Sequence, residues 1–593
     1  MPEVVVRRTF RLRSKRDDLW PLVTDTDLLN RLSGMNEIHM EPHESGGAAR
    51  FLVRTSLDGF PVQYLEEPYE WTSPSWFQIR REMLTGPTAW LRMRFQLEEA
   101  PNGGTDFTLE LKLFPKFLLL VPVAKILGAR RMRIMGEVIT RIDQEYRRSG
   151  KRVQPTEAYL DRRALERAAT ALEDVDEAIR KPLVELVHTG QDAELLRLRP
   201  FELADRWGQE RGPVLNACLR AVQEGLLELN WDLVCPSCQT SASRVDHLWE
   251  LSKQGHCQLC AIDFDLPMDQ AVEATFQPSP AIRRVEEVQF CSGGPARTPH
   301  VLSQHVLRRG TEVEVQAPAQ PMRLRLFIRG GERIDVRVLE GGPERVAVVL
   351  GGAPPEELVV GTRGHLRVRS ELAEDLHIKL EIPDWQSQAA TAFHLSTNAI
   401  FRRQFSSEVL APGTSLKVAS VALLFSDLTG STALYSREGD ASAYALVREH
   451  FDLLEACIAE HDGTIVKTIG DAIMAAFVSE DQALACALDM LRVWPRFQRD
   501  RETARDVWLK IGVHAGPCYA VTANDLLDYF GQTVNVAARL QGAAKPHEIV
   551  VRADLAQRAE EDGLLGDASV TERFEAELKG VDDAPKLARV AFI

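Results

Sequence analysis

The chain has 593 residues, 45% hydrophobic and 26% charged, a composition ordinary for folded globular protein; at roughly 150 residues per domain it predicts about four domains. A formal net charge of -15 argues against broad, non-specific binding to nucleic acid or to anionic membrane, while leaving room for a local basic patch. The opening MPEVVVRRTFRLRSKRDDLW has no continuous apolar segment behind its basic residues, so no signal peptide is read. The nine cysteines include two CxxC pairs, which fits a reducing cytoplasm and a metal site better than a disulfide framework.

Residues 1–150 begin with an alternating strand pattern, Val4–Leu12, and a helical segment over 17–32. Strand patterns follow at 49–55, 76–81, 90–97 and 105–113, and a long helical segment at 118–148 closes the region. Strand, short helices, antiparallel strands and one long helix is the order of an α+β helix-grip domain. With LWPLVTDTDLLNRL near its start, the region resembles the START/Bet v 1-like superfamily. That resemblance implies a curved sheet around the long helix and an apolar small-molecule ligand; a packed domain without a ligand is the other reading. The most apolar run of the chain, 117–124 (FLLLVPVA), falls well short of the ~20 residues that a spanning helix needs, so no transmembrane segment is expected. Arg130, Arg131 and Arg133 follow it, which allows surface contact with a membrane, but the expected reading is the start of a buried helix.

Residues 155–232 read as mostly helical. PFELADRWG and ERGPVLNACLRAVQEGLLEL give helix, Gly-containing turn and helix, with Leu227–Val234 as a wing, and the segment resembles a winged helix. The second helix offers Arg211 and Arg220 as cations against Glu210, Glu224 and Glu228. An interaction or spacer module is therefore expected, rather than one that binds nucleic acid. Over 233–266, CPSC and CQLC are separated by eighteen residues. Two such thiolate pairs complete a tetrahedral four-cysteine zinc site through Cys235, Cys238, Cys257 and Cys260. With every ligand position filled, the zinc would be structural, with His247 and His256 as bystanders. Residues 290–388 alternate strand patterns with turns and predict a small all-β sandwich. Residues 389–415 carry Ile400, Phe401, Phe405 and Val409 on nearby faces before Pro412 and Gly413, and read either as a hinge that transmits motion or as a packed linker.

From Leu416 the pattern changes. VASVALLFSDLTGST is an apolar strand that delivers Asp427 near its end, and GTIVKTIGDAIMAAF is a hairpin with Asp471 at its turn. A glycine beside each aspartate lets backbone and phosphate approach, and two carboxylates at two strand ends can clamp two Mg2+ ions. LLDYFGQTVNVAARL adds Asp528, Asn535 and Arg539, the last two sharing a helix face. FSDLTGST, KTIGDAIM and DYFGQTVNVAARL together resemble the signature segments of class III nucleotidyl cyclases, spread over most of 416–593.

The resemblance implies a ferredoxin-like α/β sandwich. It gives Asp427 and Asp471 as ligands of two Mg2+ or Mn2+ ions, with the Leu428 carbonyl as a further ligand. Lys467 corresponds to the base-reading lysine and Asp528 to its partner, Asn535 to the residue that orients the ribose, and Arg539 to the arginine that stabilises the transition state. Lys579, in ELKGV, lies where the family often has a phosphate-contacting lysine. No general base is assigned, and His514 in GVHAG is expected to be structural. A lysine donor and an aspartate acceptor match N1 and the 6-amino group of adenine, whereas guanine reverses both, so ATP is expected over GTP. In the family, the metal ligands come from one subunit and the lysine, second aspartate, asparagine and arginine from the other, which implies a head-to-tail homodimer. The expectation is a cytoplasmic, multidomain α+β adenylate cyclase in which the modules before 416 regulate the catalytic domain 416–593. A nucleotide-sensing protein without turnover and a guanylate cyclase are the alternatives.

Overall fold

The computed structural model describes residues 3–592 apart from 44–49, 58–59, 102, 151–152, 154–158, 237–239, 253, 258–261, 286–289, 330–332, 353–354, 384–387 and 577–584. Cys238, Cys260 and Lys579 lie outside the described residues.

Near the amino end, Val4–Leu12 pairs antiparallel with Thr105–Pro115, followed outward by Thr88–Glu99, Trp76–Met83 and Glu70–Thr72. The 29-residue helix Val121–Ser149 lies on this sheet. Its Met132, Met135, Ile139 and Ile142 enter a core with Leu12, Phe77, Phe95, Phe107 and Leu109. One expectation fails here. The apolar run that leads into this helix is not a buried helix start: Leu119 is 90% exposed and Val123 49%. Full burial begins at Gly128, whose Cα lies so close to the sheet that an added Cβ would stand 3.3 Å from the Leu111 and Leu113 side chains.

The same sheet continues into the β-rich region. Thr72 and Trp71 pair with Ser303 and Gln304 of Val301–Leu307, and the sheet runs on through Leu376–Glu381, Met322–Ile328, Arg333–Leu339 and Glu357–Gly361. The Trp71 indole donates to the Val301 carbonyl at 3.0 Å, Gln304 Nε2 donates to the Tyr69 carbonyl at 2.6 Å, and Arg308 pairs with Glu67 at 3.0 Å. A separate three-stranded sheet, Glu312–Gln316, His365–Ser370 and Arg345–Leu350, shares a buried core with the outer strands.

Between these parts in sequence lies a helical segment with a small sheet. Leu227–Val234, read as a wing, is the buried centre strand between Ser241–Val245 and Val272–Pro278. The helix before it, Arg211–Gln223, buries Val214, Leu215, Cys218 and Leu219. Cys235 and Cys257 sit at the ends of Leu227–Val234 and Gln254–Cys257, both essentially fully buried. His256 bonds Asp263, and His247 stacks on Trp249.

The carboxy-terminal sheet has the order Thr464–Ile469, Ala472–Phe477, Leu416–Thr429, Trp508–Ala523, Glu548–Arg552, Lys586–Phe592, Ala568–Glu575, with Leu526–Phe530 folded back onto Trp508–Ala523. Leu416–Thr429 reads as almost continuously apolar because both of its faces are covered. Ala422, Leu424 and Leu428 face a core shared with helices Asp440–Glu460 and Glu480–Asp500. Leu423 and Phe425 face a core shared with Trp231, Phe276, Phe393 and Phe401, so the second face of the sheet is packed in part by the chain that precedes it.

Candidate active site

Asp427 stands two residues before the end of Leu416–Thr429, opposite Lys510 on one side. On the other side the pairing ends at Ser426 with Ile473, which brings Asp427 level with the turn that carries Asp471. Gly470, at φ +65°, makes that turn. Burial first, then the neighbouring Asp471 charge, raises the Asp427 pKa above the ordinary aspartate value. A backbone hydrogen bond from Leu428, the Gln541 side chain and the Lys510 charge pull the other way. Asp471 Oδ2 is buried and has no hydrogen-bond partner among the described residues. Two crowded carboxylates, one with an orphaned oxygen, are the donor set a hard divalent cation satisfies. Beneath them His450 is fully buried; burial lowers its pKa to about 4, so its ring is neutral at neutral pH.

The second group is already paired. Lys467, on Thr464–Ile469, donates to Asp528 Oδ2 at 2.6 Å, and the Tyr529 amide donates to Asp528 Oδ1 at 2.8 Å. The pair remains partly open to solvent, with side-chain exposures of 39% for Lys467 and 15% for Asp528. Its support comes from residues 389–415, which form two short helices, Ala392–Ser396 and Ala399–Gln404. Arg402 donates to the Leu527 carbonyl at 2.7 Å and the Val466 carbonyl at 3.1 Å, the residues directly before Asp528 and Lys467. It also reaches the Ser396 carbonyl at 3.3 Å, and the Ser396 hydroxyl meets the Tyr529 hydroxyl at 2.6 Å. Burial lowers the Arg402 pKa, and Tyr529 and Asp528 act against that shift. Farther along, the Glu408 carboxylate accepts from the Trp231 indole at 3.0 Å and the Leu248 amide at 3.0 Å, and meets His247 Nδ1 at 2.7 Å.

Asn535 and Arg539 lie on helix Gln532–Ala543. The helix rests directly on Trp508–Ala523 because residue 512 is glycine; a Cβ there would stand 2.1 Å from the Gln541 amide nitrogen. Gln541, from the same helix, donates to Asp427 Oδ2 at 3.3 Å. Asn535 is exposed and Arg539 partly so, and neither side chain hydrogen-bonds among the described residues. One chain thus brings Asp427 to Asp471 and Lys467 to Asp528, and leaves Asn535 and Arg539 joined to neither pair. His514 is held neutral by burial, which lowers its pKa to about 4.

Sequence reasoning missed Gln541, Lys510, His450 and Arg402. Lys510 emerges only from strand register and His450 only from burial. Gln541 had a weak signal, six residues after Asn535 on one helix. Arg402 had none, since its partners are main-chain carbonyls.

Residues 414–589 match the family described as the adenylate and guanylate cyclase catalytic domain. This region of the chain is a class III cyclase domain. Cyclase domains of this class imply lyase chemistry of the cyclase type. Residues 164–296 match a family of unknown function, DUF5939. Among curated relatives, an adenylate cyclase of Mycosarcoma maydis is 33% identical over 168 residues, 25% of this chain and 7% of the relative. Retinal guanylyl cyclase 1 of Rattus norvegicus is 31% identical over 202 residues, 31% of this chain and 18% of the relative. The chain therefore spans less than a fifth of either relative. Among solved structures, the adenylyl cyclase CyaB from P. aeruginosa is 19% identical, with a TM-score of 0.27, covering 30% of this chain and 97% of that one.

Proposed function

We propose that the chain is an adenylate cyclase that converts ATP to 3′,5′-cyclic AMP and pyrophosphate. The observation that carries this reading is the Lys467–Asp528 pair at 2.6 Å, a donor beside an acceptor, still partly open to solvent. Lys467 would donate to adenine N1 while Asp528 accepts from the 6-amino group; guanine would set donor against donor and acceptor against acceptor. Asp427 and Asp471, with the Leu428 carbonyl, would hold two Mg2+ or Mn2+ ions. Such ions, when bound, neutralise the triphosphate and acidify the ribose 3′-hydroxyl. Asn535 would orient the ribose, and Arg539 would meet the charge that builds on the α-phosphate. Lys579 would contact phosphate.

The site would be built by two copies arranged head to tail. The unengaged side chains of Asn535 and Arg539 support this, as do the exposed apolar residues Tyr444, Ile469, Tyr519, Leu526 and Phe530. Ile469 adjoins the Asp471 turn, and Leu526 and Phe530 flank Asp528. Regulation by the region before 416 is supported by Arg402 and Ser396, which place residues 389–415 directly behind the base-reading pair. A structural zinc held by Cys235, Cys238, Cys257 and Cys260 rests on the CxxC spacing and on the burial of Cys235 and Cys257. An apolar ligand in the amino-terminal domain rests on its resemblance alone.

Turnover of ATP and GTP with Mg2+ or Mn2+, wild type beside Asp471→Ala, tests the reading. Cyclic AMP from the wild type and none from the variant is expected. Preference for GTP would make the chain a guanylate cyclase, and nucleotide binding without product would make it a sensor.

A further inference from the structure

The most apolar run of the chain lies in the open. Phe117, Leu118, Leu119, Val123, Ile126 and Leu127 are all exposed, within eleven consecutive residues. Phe60 and Leu84 are exposed as well. The Leu84 amide bonds the Gln63 carbonyl, and the Lys116 amide bonds the Pro87 carbonyl, so the Phe60–Gln63 strand start, the Leu84–Pro87 turn and residue 117 sit at one end of the sheet. The helix Val121–Ser149 is anchored through Met132, Met135 and Ile139, and its first turns rest Val121 and Ala124 on that core while Val123, Ile126 and Leu127 face solvent. An exposed apolar cluster of this density on a folded domain marks a contact surface.

Charge indicates what it contacts. From Pro115 to Gly136 there is no acidic residue, while Lys116, Lys125, Arg130, Arg131 and Arg133 fall within that stretch of a chain whose net charge is -15. Arg131 turns inward to the Ser33 carbonyl, and Arg133 stands 3.7 Å from Glu137. Lys116, Lys125 and Arg130 have no carboxylate partner among the described residues. Protein interface cores are depleted of charge, whereas a helix that lies in a bilayer surface combines aliphatic and phenylalanine side chains with lysine and arginine. The run is too short to span. We infer that this end of the amino-terminal domain docks on the surface of an anionic bilayer. Phe117, Leu119, Val123 and Ile126 enter the acyl boundary, and Lys116, Lys125 and Arg130 meet the headgroups. The inference is independent of the nucleotide the cyclase domain uses.

Co-sedimentation of the full chain with vesicles tests it. Vesicles of phosphatidylcholine with about 30% phosphatidylserine should bind the chain, and phosphatidylcholine alone should bind it at least about tenfold less. Leu119→Asp with Ile126→Asp should lower binding to the anionic vesicles by about tenfold while the thermal midpoint stays unchanged, since both side chains already face solvent. Lys116→Glu with Lys125→Glu should lower it severalfold, and added salt should do the same. No binding to the anionic vesicles, equal binding to neutral ones, or binding unchanged in the Leu119/Ile126 variant would overturn the inference. So would self-association that this variant abolishes without any vesicle binding, which would make the patch a contact between copies of the chain.

Discussion

Asp427 and Asp471 meet as like charges, with one oxygen left without a partner, whereas Asp528 has both oxygens engaged by Lys467 and the Tyr529 amide. The first pair is left incomplete by the described residues, as a site proposed to take divalent cations would be. The second is complete, and in the proposed role it would have to open before a base edge could take its bonds. The two groups also differ in what stands behind them: the Asp471 turn is met by His450 from helix Asp440–Glu460 of the same domain, while the Lys467–Asp528 pair rests on Arg402 from the preceding segment. Metal binding should therefore be a property of the cyclase domain itself, and base recognition should answer to the rest of the chain.

The largest effect expected of this contrast is at Asp471. Asp471→Ala should lower turnover by about a thousandfold or more without lowering the thermal midpoint, because removing one of two repelling carboxylates relieves strain. Substantial turnover by this variant would break the comparison at its first term. Arg539→Ala should cost about a hundred- to a thousandfold in kcat. If Asp427→Ala and Asn535→Ala, each inactive alone, fail to recover partial activity when mixed, the two groups are not shared between copies.

Lys467→Ala should reduce kcat/KM for ATP by about tenfold to a hundredfold and shrink the ATP-over-GTP ratio about tenfold, since it leaves adenine N1 without a donor. Arg402→Ala should raise KM for ATP by about three- to tenfold with kcat little changed, and Arg402→Lys should restore only part, because an ammonium cannot span the three carbonyls a guanidinium reaches. A fall in kcat with KM unchanged would place Arg402 outside base recognition. The smallest effect concerns stability. The folded pKa of Asp427 lies above its unfolded value, so the folded state holds that proton longer, and stability falls as pH rises from the ordinary aspartate value through the raised one. Asp427→Asn should remove that fall and raise the thermal midpoint at neutral pH by about 1 °C, a modest gain for a carboxylate that is half open to solvent.

Much of the catalytic domain was legible because its signals are local. An apolar strand that carries Asp427 near its end, a glycine turn before Asp471 and a helix carrying Asn535 and Arg539 are each contiguous in sequence. Illegible features depend on register or on distant chain. Lys510 faces Asp427 only through strand pairing, and Arg402 grips three carbonyls whose residue types carry no information about it. The apolar run at 117–127 misled for a related reason: hydrophobicity predicts that a segment leaves water, not that it leaves it within its own fold. Leu227–Val234 looked peripheral because nothing local announces that Val272–Pro278 will cover its second edge.

The seam where Trp71 and Thr72 meet Ser303 and Gln304 has a mechanical consequence. A swinging lever needs a joint, and here the indole of Trp71, the amide of Gln304 and the Arg308–Glu67 pair rivet two stretches more than two hundred residues apart in sequence. A load on the amino-terminal strands would therefore be carried into Val301–Leu307 by strand pairing, with no hinge between them. Cutting away the first hundred residues would leave Val301–Leu307 with a raw edge, a surface on which chains adhere to one another.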